Sequence, residues 1–112
     1  MQPVLITQPA LYGDATDDVT KKYLGSIKLG NEENGNIAWE SLEFFNDVTR
    51  SIGLEQKVLV IDLAHEMPKS SRYFYDFIHY NNEGSKKVGE IVYKNLETSL
   101  KINFKGHLKN IN

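Results

Sequence analysis

Val58-Leu59-Val60-Ile61, followed at once by Asp62-Leu63, is an unbroken apolar run rich in β-branched side chains, with no polar alternation. A strand of this kind has cover on both faces, as in a parallel sheet flanked by helices. Working upstream, residues 37–51 predict a helix. Leu42, Phe45, Val48 and Ile52 recur at steps of three and four, and Gly53 is placed to end it. Before that, residues 25–36 hold Gly30, Asn31, Asn34, Gly35 and Asn36 and read as a loop, with Asn34-Gly35 as a turn. Thr16 is placed to cap a short helix over 17–24, with Asp17 and Asp18 in its first turn and Gly25 just beyond it. Val4-Leu5-Ile6-Thr7, closed by Pro9, reads as a second buried strand.

Downstream of the central strand, residues 64–82 predict a long loop rich in aromatics. A last helix covers about 83–100, with Val88, Ile91, Val92, Leu96 and Leu100 on one stripe. Residues 102–104 are assigned to a short edge strand within the tail 101–112. The order strand, helices, strand, helix predicts a single α/β domain over 1–112, built on a right-handed βαβ unit with a small parallel sheet and flanking helices. So small a sheet leaves open edges. The chain also enters a buried strand almost at once. The expectation is that a missing N-terminal half continues the sheet, or that the chain is a homo-oligomer with an apolar interface near the first strand.

Composition narrows the function classes. The chain has 112 residues, a formal net charge of −2 and no cysteine. Disulfides, thiol chemistry and Cys-based zinc sites are therefore excluded. No Lys/Arg cluster stands out, so nucleic acid is not an expected partner. No apolar run approaches the ~18 residues of a membrane span. The start, Met1-Gln2-Pro3-Val4-Leu5-Ile6, lacks the basic region and long apolar core of a signal peptide, which makes cytoplasmic residence the default expectation.

The stretch with chemistry in it is Tyr73-Phe74-Tyr75-Asp76-Phe77-Ile78-His79-Tyr80-Asn81-Asn82-Glu83-Gly84. Asp76 and His79 stand three residues apart, after a strand exit and just before a helix. In a turn, the carboxylate reaches the imidazole Nδ1–H, fixes the tautomer and stabilises the imidazolium. Nε2 is then left to take a proton from a hydroxyl. Taken alone, the pair reads first as a surface Asp in a turn beside a packed histidine, the commoner arrangement. The neighbouring aromatics Tyr73, Phe74, Tyr75, Phe77 and Tyr80 either line an acyl or sugar pocket or pack the loop onto the core, the commoner use; Trp39 reads as a packing residue. His65-Glu66, taken with Asp76 and His79, lacks metal-ligand spacing, and Asp14, Asp17 and Asp18 lack the remainder of a calcium loop.

The chain from about residue 3 to 100 resembles the SGNH (GDSL-type) hydrolases, a family of serine esterases, lipases and acyltransferases, over their C-terminal half. The resemblance lies in Asp76-Phe77-Ile78-His79, then Asn81 and Gly84, before an amphipathic helix. It extends to Phe45-Asn46-Asp47-Val48, to Val58–Ile61 with Asp62-Leu63, and to Val4-Leu5-Ile6-Thr7-Gln8-Pro9. It implies the C-terminal half of a flavodoxin-like three-layer fold, with His79 as general base and Asp76 as its orienting acid. It further implies an acyl-ester substrate and neither metal nor organic cofactor. The family's Gly-Asp-Ser nucleophile segment and its Gly-x-Asn oxyanion segment have no counterpart here. Gly13-Asp14-Ala15 echoes the former with Ala in the nucleophile's place. Ser70 and Ser71 lack a nucleophile elbow, and Ser85 falls in the first turn of the last helix. The resemblance therefore implies a chain that supplies the Asp–His pair and is inactive alone. The alternative is a non-catalytic oligomeric module that keeps the fold elements.

Overall fold

A computed structural model describes residues 3–30 and 33–111, with side chains through residue 102. Met1, Gln2, Asn31 and Asn112, which the sequence readings touch, lie outside the described residues. The element order is β1 (Val4–Ile6), β2 (Lys28–Leu29), β3 (Glu33–Asn34), α1 (Gly35–Gln56), β4 (Leu59–Ile61), α2 (Leu63–Glu66) and α3 (Asn82–Ile111). The chain is thus a mixed α/β unit. β1 and β4 pair in parallel, Val4 opposite Leu59 and Ile6 opposite Ile61. β2 and β3 form a small antiparallel hairpin inside the stretch read as a loop.

The helices depart from their expected limits for local reasons. α1 starts at Gly35 because Asn34 caps it, its side chain accepting the Ile37 N–H at 2.9 Å. Gly53 does not end it. The helix runs on to Lys57, which takes the left-handed cap conformation (φ 56°, ψ 45°) and donates its N–H to the Gly53 and Leu54 carbonyls. Gly53 instead permits close packing, since a Cβ there would collide with Val60 of β4.

No helix forms over 17–24. Thr16 bridges to Tyr23 and the Asp17 N–H bonds the Lys22 carbonyl, while Lys21 sits at φ 63°. The Asp17 carboxylate takes nearby N–H groups for itself, an alternative to helix that short acidic side chains offer. The edge strand expected at 102–104 is also absent, because α3 continues through it to Ile111.

The core sits at the carboxyl end of the strands. Leu11, Leu24, Leu63, Met67 and Phe74 form its centre, with Ala15, Tyr73, Tyr80, Val88 and Ile91 packed around them. The strands themselves are less covered than their composition implies. Ile61 is fully buried, yet Val4 and Ile6 are exposed. The expectation that β1 is covered on both faces therefore fails. β1 borders only β4, and α1 turns small and polar residues inward, its buried positions being Gly35, Asn46 and Gly53.

Candidate active site

Residues 74–80 form a tight loop closed by a bridge between Phe74 and Tyr80 and by the Tyr75 N–H on the His79 carbonyl at 2.8 Å. Its base is anchored. Phe74 is buried, its ring 5.6 Å from that of Tyr80, and the Leu11 N–H bonds the Phe77 carbonyl. Asn81 then joins the loop to α3. Its Oδ1 accepts the Gly84 N–H at 2.8 Å as a helix cap, and its Nδ2 donates to the Arg72 carbonyl. Gly84 is required here because a Cβ would run into the Tyr73 carbonyl.

At the tip of the loop, Asp76 uses both oxygens. Oδ1 accepts the N–H groups of Ile78 (2.8 Å) and His79 (2.7 Å). Oδ2 lies 2.8 Å from His79 Nδ1. The Ile78 and His79 N–H groups, with the imidazole, hold the Asp76 carboxyl down at about 2. An ionised carboxylate only accepts, so Nδ1 carries the proton, and Nε2 of the neutral ring is a lone-pair base. The His79 side chain is 68% exposed and Nε2 meets no partner among the described residues. The structure thus brings Asp76 and His79 together in the orientation that base catalysis uses.

Three of the aromatics of this stretch take the commoner of the two uses, packing the loop. Phe74, Tyr73 and Tyr80 pack into the core. Tyr75 and Phe77, together with Ile78, stay exposed beside the pair. The serines are placed elsewhere. Ser70 is buried with its hydroxyl on Asp18, and Ser71 gives its N–H to Asp17. A groove of about 380 Å³ lies between β4, α2 and α3, lined by Leu59, Glu66, Asn95 and Ile102. Neither Asp76 nor His79 borders it.

A second histidine is placed differently. His65 has Asp62 Oδ2 at 3.0 Å from Nδ1 and Glu43 Oε2 at 2.8 Å from Nε2. With a carboxylate on each ring nitrogen, it has no free basic face. Arg50 joins the same cluster, bonding Asp62 and Glu43 through its guanidinium and Asp47 at 2.7 Å. Thr7 closes the cluster by donating to Asp62 and accepting the Ala64 N–H. Burial works to raise the carboxyls of Asp62 and Glu43, but the hydrogen bonds and charge of Arg50 together with Thr7 on Asp62, and with Asn46 and His65 on Glu43, outweigh it and hold both below their ordinary values. Beside this cluster, buried Asn46 grips the Gln8 backbone just beyond β1. Its Oδ1 accepts the Gln8 N–H and its Nδ2 donates to the Gln8 carbonyl. The network locks α1 to the ends of both strands and is structural. The sequence signals were Asp62 and Thr7 at strand ends and an Arg at 50; their convergence depends on the fold.

Lys69 is a further group that the sequence did not single out. Its Nζ lies 3.1 Å from the Trp39 ring centroid and donates to the Ala10 carbonyl, and burial pushes its ammonium down to about 8. Trp39 packs as expected, its ring edge-on to Tyr12 and filling the space beside Gly13. Among the described residues there is no group of three or more His, Asp or Glu that could hold a metal ion, and no helix long and apolar enough to cross a membrane. Compared with protein-family models, curated proteins and solved structures, the chain gives no match.

Proposed function

We propose that this chain is the C-terminal portion of an SGNH-like ester hydrolase or acyltransferase, supplying the general base and its orienting acid to a serine carried by another polypeptide segment. The observation that carries this reading is the 2.8 Å contact of Asp76 Oδ2 with His79 Nδ1, which leaves Nε2 exposed. In a completed site, Nε2 takes the serine proton as Oγ attacks the acyl carbon. It then returns that proton to the departing alcohol as the C–O bond breaks, and water releases the acyl group by the reverse sequence. Asp76 holds the ring in register and offsets the imidazolium charge. The substrate class is an acyl ester and the chemistry requires neither metal nor organic cofactor.

The test has two parts. Alone, the chain shows no turnover of an activated acetyl ester above a His79→Ala control and takes no fluorophosphonate label. Joined to a serine-bearing N-terminal half, the label falls on that half, and His79→Ala lowers turnover on the order of 10⁶-fold. Labelling of Ser70, Ser71 or Ser85, or turnover indifferent to His79→Ala, would sink the reading. The second reading, a non-catalytic module that works by association, is favoured by the apolar stripe that α1 leaves uncovered.

A further inference from the structure

The apolar face of α1 points away from the chain's own core. Asn46 and Gly53 are buried on one side, while Ile37, Phe44, Phe45, Val48 and Ile52 on the other are exposed, Phe44 and Phe45 by 66% and 67%. Together with Ser41, these residues step along the helix by four, three, one, three and four, which keeps all six on one side of it. The stripe is also symmetric about the point between Phe44 and Phe45. Ile37 and Ile52 lie equally far from that point, and so do Ser41 and Val48.

We infer that a second copy of this chain covers the stripe, its α1 antiparallel to the first across a two-fold axis at Phe44 and Phe45. An isologous interface must be complementary to itself, so in an antiparallel pair the apolar anchors must recur at equal distances on either side of the axis. Ile37 with Ile52 and Phe44 with Phe45 do so, and Ser41 leaves room for Val48. Val48 of each copy falls on Ser41 of the other, where Ile37, Glu40, Ser41, Phe44 and Phe45 line a shallow groove. Ile37 meets Ile52. The charges agree with the same register. Glu55, which shares the stripe's side of the helix, lies against the N-terminus of the other copy's α1, where a helix favours an anion. The two Phe and three aliphatic side chains, each partly covered already, supply about 500 Å² per partner before the polar rim is added, at the low end of specific interfaces. The inference does not depend on what Asp76 and His79 do.

Sedimentation or light scattering of the full chain at micromolar concentration is expected to give twice its 12.8 kDa mass. Phe45→Glu and Val48→Glu, both at exposed positions, are expected to return it to single mass with the circular dichroism and melting curve retained. The chain has no cysteine, so register can be read directly. Chains bearing Ser41→Cys, mixed with chains bearing Val48→Cys, cross-link through a short bis-maleimide, and chains bearing Ile37→Cys do not cross-link to one another. A monomer overturns the inference. So does a dimer indifferent to both Glu variants, or self-linking through Ile37→Cys, which indicates parallel pairing.

Discussion

Asp17 is the side chain whose removal tests the fold most sharply. It is 1% exposed and its carboxylate ties two loops together. It accepts the Thr20 hydroxyl at 2.7 Å and, from across the molecule, the Ser71 N–H at 2.9 Å. The Val19 and Thr20 N–H groups approach at 3.3 and 3.4 Å. Hydrogen bonds to a charged partner contribute about 1.5–3 kcal/mol each, and the two long contacts, near the limit of useful geometry, add little. Asp17→Ala should therefore cost about 3–6 kcal/mol. A chain of 112 residues is expected to be stable by roughly 6–17 kcal/mol in total. Asp17→Asn keeps the volume and one acceptor and should cost about half as much. Urea unfolding at neutral pH measures both, as a fall in midpoint at constant slope. The sign with pH follows from the same contacts. Burial works to raise this carboxyl, but the Ser71 and Thr20 bonds prevail and hold it far below its ordinary value of 3.8. The unfolded chain therefore binds the proton first on acidification, and the stability that Asp17 contributes is complete above about pH 4 and shrinks below it. The gap between parent and Asp17→Ala should narrow in acid. A loss under about 1 kcal/mol at neutral pH, or a gap that does not narrow, would refute the assignment.

Two further predictions concern the loop of the acid–base pair. Gly84→Ala, which drives a methyl into the Tyr73 carbonyl, should destabilise by about 1–3 kcal/mol in thermal melts. Gly89→Ala, in α3 with nothing near the added methyl, should stabilise by about 0.5–1 kcal/mol; equal effects would contradict the packing described. The Asp76 carboxyl carbon, followed by NMR, should titrate at about 2, because the Ile78 and His79 N–H groups favour the ionised form. Its contribution to stability is present above about pH 4, lost as pH falls through about 2, and missing from Asp76→Asn; titration near 4 would show that the loop does not hold the carboxylate.

The amino-acid sequence by itself determined those features that depend on near neighbours. The run at 58–61 marked a strand with parallel pairing, and the stripe from Val88 to Leu100 marked the last helix. The three-residue step from Asp76 to His79 allowed a carboxylate on an imidazole, because one turn spans it, and the structure makes that contact.

Tertiary structure decided whatever depends on which surfaces meet. The charges flanking 17–24 suit a helix, but a helix there would give up the Ser71 N–H that the Asp17 carboxylate captures from the far side of the molecule. Gly53 reads as a stop, and only the approach of Val60 shows that it is a packing glycine. Periodicity showed that α1 has an apolar face but could not say what covers it; the sheet takes the side bearing Asn46 and Gly53 and leaves Phe45 and Val48 outside. Arg50, Asp62, Glu43, His65 and Thr7 are scattered in sequence and form one network because α1 returns its middle to the ends of two parallel strands. Local pattern fixes an element's type and its faces, whereas long-range contact selects the face that is buried and the charges that pair. The sequence therefore offered Asp76 and His79 as a pair, and the fold joined them and disclosed the uncovered stripe of α1.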